Sequence, residues 1–217
     1  MTRSEEVQSL IDDLDREAQT DRDPAETPDV GVIMGSDSDL EVMMGSETGR
    51  PGAYDAFVEE LGFAEQTSYD DPPAARFTFE SFVVSAHRTP ELMYTYATTA
   101  ADRGLEVIIA GAGGKSADLP NMTASLAYPL PVIGVPVQEK SVDSVIGMPT
   151  GAPIVAVDAG KSFNAALTAA QILARQHSEL HERLQAYHDG LQDDVGTTSR
   201  DLHEFGTPRF KEEYGYE

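Results

Sequence analysis

Residues 30–40 read VGVIMGSDSDL, an unbroken apolar run followed by small hydroxyl and carboxylate residues. Five apolar residues with no polar alternation suit a strand buried on both faces, and the Gly-Ser-Asp segment suits a turn opening a helix. Moving outward, 77–84, 107–110, 132–135 and 154–157 repeat the first half of this pattern, rich in Val, Ile and Phe. Between them, 53–61, 90–103, 117–127 and 162–175 carry helical spacing. Pro90 suits a first helical turn and Gly104 a stop. Strands alternating with helices predict an α/β fold, a three-layer sandwich with a mainly parallel, doubly wound central sheet. Ligands of such sheets bind beyond the carboxyl ends of the strands. The search for chemistry therefore narrows to the loop after each strand.

The ends of the chain differ in charge from this centre. Of 38 Asp and Glu, nine fall in residues 1–28 and ten in 177–217, leaving 19 acids and 8 bases for 29–176. The reading is an acidic N-terminal extension at 1–28, a catalytic unit at 29–176, and an acidic helix and tail at 177–217. Leu10, Ile11 and Leu14 mark one weak helical face in the first. In the last, a helix is expected over 178–189, then a tail broken by glycine. Turn-rich GSETGRPGAY and SYDDPPAA make 45–75 read as a surface insertion around a helical segment.

Composition excludes several functions. A net charge of −23 argues against nucleic acid, whose backbone needs a basic face. No run of about 18 apolar residues predicts a membrane span, and the acidic N-terminus has no apolar stretch like a signal peptide's. These features predict a cytoplasmic protein. With no cysteine there is no disulfide, thiolate metal site or cysteine nucleophile. Only 4 lysines accompany 11 arginines, so the surface resembles those of salt-accumulating organisms.

Three loops could carry chemistry. Gly35, Ser36, Asp37, Ser38 and Asp39 offer backbone approach, hydroxyl donors for phosphate and a carboxylate for sugar hydroxyls, or simply a helix cap. Ser85, Ala86, His87 and Arg88 place a proton carrier beside an anion clamp, unless His87 is only a surface residue. Gly111, Ala112, Gly113 and Gly114 permit a flat ligand to approach backbone. That last loop fails the dinucleotide fingerprint, because Ser116 stands where its final Gly belongs. Ala159-Gly160-Lys161-Ser162 fails the P-loop pattern, because Val155 holds the first Gly position. HSELH at 177–181 lacks the zincin arrangement and reads as a solvated face. Lys115, Lys140 and Lys161 all follow predicted strands, which suggests a positive field along one rim.

Taken in order, VIMGSDSDLEVM, VVSAHRTPE, VIIAGAGGKSADLPNM, PVIGVPVQ, SVIGMPTGAPIVAV and AGKSFNAALTAAQILA resemble the N5-carboxyaminoimidazole ribonucleotide mutase family across nearly all of 29–176. The resemblance implies a flavodoxin-like fold, a homo-octamer and a ribonucleotide substrate, with no metal and no cofactor. The reaction it implies, in de novo purine biosynthesis, moves a carboxylate from the exocyclic amine of an aminoimidazole ribonucleotide to ring carbon 4. By the same resemblance His87 is catalytic. Ser36, Asp39 and Arg88 bind substrate, with Ser38 alongside, and Ala110, Gly111, Ala112, Gly113 and Gly114 form the loop that closes on the imidazole; Ser85 and Lys115, beside these stretches, are further substrate-binding candidates. Two other readings stay open, a direct carboxylase that adds CO2 and a non-catalytic nucleotide-binding module. The stretch GAGGKSADLPNM is one residue longer than the bacterial GAGGAAHLPGM and lacks its His.

Overall fold

The apolar run at the centre of the sequence becomes the centre of the sheet. Strands β1 (Val30–Met34), β2 (Ala64–Glu65), β3 (Thr78–Val83), β4 (Val107–Ala112), β5 (Val132–Pro136) and β6 (Val155–Ala156) form one sheet in the order β2-β3-β1-β4-β5-β6. Every pairing is parallel. The structure, a computed structural model, describes residues 4–46 and 49–215. Residues 1–3, 47, 48, 216 and 217 lie outside the described residues, and with them the outermost parts of both acidic ends and two positions of the 45–75 segment.

Alternation along β1 and β4 divides the core into two layers. Val30, Val32, Met34, Val107 and Ile109 face one cluster, with Met43, Phe57, Ala165, Ala169 and Leu180. Ile33, Ile108, Ala110 and Ala112 face the other, with Ile11, Leu14, Leu92, Met93, Tyr96 and Val145. The covering helices are α1 (Glu5–Gln19), α2 (Leu40–Met44), α3 (Pro90–Thr99), α4 (Leu119–Leu126), α5 (Val142–Ile146), α6 (Ser162–Leu173) and α7 (Ser178–Glu213). Helices on both faces of a parallel sheet make the expected three-layer α/β sandwich. Without the short edge strand β2, the order β3-β1-β4-β5-β6 is that of flavodoxin-like folds. The chain reverses direction across the sheet at β1, which opens a crevice between the loops after β1 and β4.

One segment differs from its sequence pattern, and both ends carry more helix than their patterns predict. Between its turn-rich flanks, 45–75 buries Ala53, Ala56, Phe57, Leu61 and Phe63, and supplies β2. Its middle belongs to the core layer, because the apolar residues of the π-helical turn Asp55–Glu60 stack against β3, with Phe57 and Phe79 rings 5.0 Å apart. The acidic N-terminus is a docked helix, capped by the Ser4 hydroxyl accepting from Val7 N–H at 3.3 Å, with Ile11 and Leu14 buried. The expected glycine-broken tail is instead helical: α7 runs through Gly190 and Gly196 and leaves helical geometry only at Gly206 (φ 72°). A helical glycine costs about 1 kcal/mol relative to alanine, which neighbouring helix formers can absorb.

One buried polar cluster ties β3 to the segment after α3. Arg103, fully buried, donates to Glu80 Oε1 at 2.6 Å and to the Tyr69 hydroxyl at 2.7 Å, and that hydroxyl donates to Glu80 Oε2 at 2.9 Å. Among the described residues, no helix is long and apolar enough to cross a membrane.

Candidate functional site

All three loops singled out above end at one crevice. Strand β1 delivers Gly35 to Asp39, β3 delivers Ser85 to Arg88, and β4 delivers Ala112 to Asp118. Their register aligns Met34 with Val83 on one side and Gly111 on the other, so the loops leave the sheet at the same height. With the loop after β5 they line a cleft of about 290 Å³, formed by Gly35, Ser36, Ser38, Asp39, Ser85 and His87, with Ala112, Gly113, Gly114, Asp118, Gln138 and Lys140.

The first loop is a 3-10 turn, Asp37–Asp39, leading into the five-residue α2. The Ser36 hydroxyl and Ser38 N–H both donate to Asp37 Oδ1, at 2.9 and 3.0 Å, and hold that carboxyl below the usual carboxylate range. Asp39 is the buried member. Loss of water pushes its carboxyl above the usual range, against the opposing pull of the Ser36 backbone and of Arg88.

The second loop is laced by its own bonds. Ser85 N–H donates to Thr89 Oγ1 at 3.0 Å, Thr89 N–H to the Ser85 carbonyl at 2.9 Å, and Arg88 N–H to Ser85 Oγ at 3.2 Å. Arg88 Nη2 donates to the Gly35 carbonyl at 3.0 Å and so ties the second loop to the first. His87 reaches the third loop, its Nε2 standing 3.0 Å from Asp118 Oδ2.

The third loop divides. Ala112, Gly113 and Gly114 face the cleft, and Gly114 takes a positive φ of 86°. Ala110 and Gly111 remain within β4, fully covered, and do not line it. Of the three lysines expected at the rim, Lys140 lines the cleft, whereas Lys115 is exposed beside it and Lys161 precedes α6. Asp118 and Gln138 were not singled out from sequence. An Asp at a helix start looks like an ordinary cap, and nothing local marks either residue.

A larger cavity, about 490 Å³, lies at the opposite end of the strands. Its charged groups are engaged with one another: Arg22 with Glu17, and His177 with Arg76 at 3.1 Å and Glu106 at 3.3 Å. His177 thus sits at the N-cap of α7, bonded into the body rather than on a solvated face. Among the described residues, no group of three or more His, Asp or Glu is placed to hold a metal ion.

A parallel sheet of flavodoxin order, with small residues, hydroxyls and one histidine gathered at its switch point, defines an α/β protein built to hold a small polar molecule against backbone. The chain belongs to the AIR carboxylase family, whose profile matches residues 70–194. The N5-carboxyaminoimidazole ribonucleotide mutase of Pyrococcus horikoshii is 40% identical over 195 residues, 87% of this chain and 97% of that protein. The mutase of Mycobacterium tuberculosis is 44% identical over 183 residues, 82% of this chain and 91% of its own length. The crystal structure of a PurE from Treponema denticola superposes with a TM-score of 0.57 over 82% of this chain and 98% of its own, at 21% identity, a likeness of fold.

Proposed function

We propose that this chain is an N5-carboxyaminoimidazole ribonucleotide mutase with His87 as its proton carrier. The observation that carries the reading is the convergence of three loops on one cleft containing His87, in a chain similar to mutases over most of its length. Residues 29–176 are the catalytic unit, working in the cytoplasm as a homo-octamer on an acidic, salt-adapted surface.

Binding divides among the loops. Ser36, Ser38, Ser85 and Arg88 hold phosphate oxygens with hydroxyl and guanidinium donors, and the Arg88 fork suits an anion better than a lysine would. Asp39 accepts from ribose hydroxyls. Ala112, Gly113 and Gly114 lie along the imidazole, Lys115 flanks it, and Ala110 and Gly111 support that loop from within β4.

Chemistry then needs one group that can give and take a proton. As the carbamate N–C bond breaks, its electron pair returns to nitrogen and protonated His87 supplies the proton, leaving aminoimidazole ribonucleotide and CO2. Ring carbon 4, made nucleophilic by the conjugated amine, attacks CO2 and forms the new C–C bond. Loss of the carbon 4 proton to neutral His87 restores aromaticity and recharges the imidazole. Imidazole is the side-chain group that both gives and takes a proton near neutral pH, which suits both duties. Confinement keeps CO2 beside the ring, which makes recapture a proximity effect, and exclusion of water prevents its loss.

The test is a paired assay in high salt. Purified protein should convert N5-carboxyaminoimidazole ribonucleotide, and should not use aminoimidazole ribonucleotide at low bicarbonate. Conversion of only the second would assign the chain as a direct carboxylase. His87→Asn should lower kcat by at least about 100-fold, the lower end of what general acid–base catalysis supplies, with nucleotide affinity retained. Near-normal turnover in that variant would remove His87 from the mechanism.

A further inference from the structure

We infer that Asp118 is a positioning residue that fixes the tautomer of His87 and leaves Nδ1 as the nitrogen that carries the proton. This rests on the mutase reading for its kinetic consequence and on the geometry alone for its structural one.

The first observation is the contact itself, Nε2 to Oδ2 at 3.0 Å. A carboxylate can only accept, so a hydrogen bond of that length requires the hydrogen on Nε2. That hydrogen stays in place whether the ring is neutral or charged. The nitrogen that gains and loses a proton is then Nδ1, the atom Asp118 does not hold.

The second observation is what Asp118 does not do. It occupies the N-cap of α4, and its carbonyl accepts the first helical bond, from Met122 N–H at 3.0 Å, yet its side chain makes no cap hydrogen bond. An N-cap aspartate in extended backbone accepts from the second or third helical amide. Asp118 instead has αR geometry (φ −81°, ψ −17°), and the second helical residue, Pro120, has no N–H, so its carboxylate is free of that duty. Here the carboxylate turns from its own helix to His87.

The third observation is how rigidly the pair is presented. Ala117 and Leu119, on either side of Asp118, are 0% and 1% exposed, which anchors the backbone while the side chain projects into the cleft. The turn carrying His87 is closed by the Ser85 and Thr89 bonds described above. Both side chains are themselves open to water, His87 at 62% and Asp118 at 43%. An ion pair so exposed contributes little to folding. Its consequence is orientation: backbone is fixed on both sides, and the carboxylate fixes the ring.

Magic-angle-spinning ¹⁵N NMR of ¹⁵N-histidine-labelled protein, with His87 assigned by its loss in His87→Asn, reads the tautomer without substrate. The expected spectrum of neutral His87 has a protonated Nε2 and a bare Nδ1. In Asp118→Asn, whose amide can donate as well as accept, the two tautomers should mix. The same variant should lose kcat by at least about 10-fold, as when the carboxylate that fixes a catalytic histidine's tautomer is replaced by its amide, with KM within threefold of wild type. The Asp118 side chain makes no cap hydrogen bond and its pair with His87 is open to water, so the melting temperature should hold. A neutral His87 protonated at Nδ1 in the wild type would overturn the inference, as would an Asp118→Asn kcat within twofold of wild type or a loss confined to KM. A wild-type chain unable to interconvert the two nucleotides would strike the mutase reading alone, because the spectrum answers for the pair separately.

Discussion

Two neighbouring glycines of the third loop should respond to alanine in opposite ways. Gly111 lies in β4, paired with Met34 on one side and Val135 on the other, and its missing side chain points at α2. A Cβ there would overlap Met43 Sδ and stand 2.6 Å from its Cε and 3.1 Å from its Cγ. Met43 is fully buried, so the thioether can move only by displacing the core around it. Overpacking of this kind costs about 1–3 kcal/mol, partly offset by about 0.4–1 kcal/mol from the stiffer unfolded chain. At roughly 2–4 °C per kcal/mol for a chain of this size, a net cost of about 1–2 kcal/mol should lower Tm by about 2–8 °C. At Gly113 the added Cβ would lie 3.3 Å from Asp39 Oδ1 and 3.8 Å from Gln138, inside the cleft. Gly113→Ala should leave Tm in place and raise KM instead. Calorimetry in molar salt, with Met43→Ala and the double variant completing a cycle, tests the cause. The alanine methyl at 111 should fill part of the space vacated at 43, so the double variant should lose at least about 0.5 kcal/mol less than the sum. An unchanged Tm for Gly111→Ala, or an additive cycle, would refute the assignment of this glycine to packing.

Glu80→Ala would leave Arg103 charged and buried without its carboxylate. That should cost about 3–5 kcal/mol, or roughly 6–20 °C in Tm, whereas replacing both partners by leucine should cost far less. A fall below about 2 °C for Glu80→Ala would show the pair to be dispensable. Asp39 supplies a pH signature. Burial raises its carboxyl in the folded state, so its proton contributes stability that is present below the unfolded pKa of about 3.9 and lost as pH rises through the folded value. Asp39→Asn removes that dependence: its Tm should gain on wild type as pH rises from about 3.5 to 7. A Tm difference constant across that range would contradict the burial argument.

Legibility in the sequence followed how local each signal was. Strand β1 has the bounds its apolar run predicts, because five consecutive buried positions leave no other pattern. The 107–110 run extends to Ala112, since the small residues after it still pair with β5, and the 154–157 run contracts to two residues at the opposite end of the sheet. Strand β2 was illegible: Ala64 and Glu65 have no alternation, and they are a strand only because Thr78 and Phe79 lie beside them. The same limit explains the site. Ser36, His87 and Gly113 announce themselves by residue type at the end of a strand. Asp118 and Gln138 acquire meaning only when the loops after β1, β3, β4 and β5 meet, and Gly111 loses its apparent place in the cleft once β4 is seen to continue through it.

The charge of −23 bears on the proposed substrate through distance. An anionic nucleotide approaching this surface meets repulsion in dilute buffer, but screening shortens the reach of that field to about 3 Å at 1 M salt. Under such conditions only groups in contact decide binding. Lys140 lines the cleft together with two carboxylates: Asp118 accepts from His87, and burial pushes the Asp39 carboxyl above the usual range. In the proposed binding mode phosphate meets serine hydroxyls of the cleft and the Arg88 fork beside it, donors that act over hydrogen-bond distance and keep their strength in salt far better than long-range attraction does. On the proposed reading, short-range donors inside a strongly acidic surface therefore suit a salt-rich medium better than a dilute one.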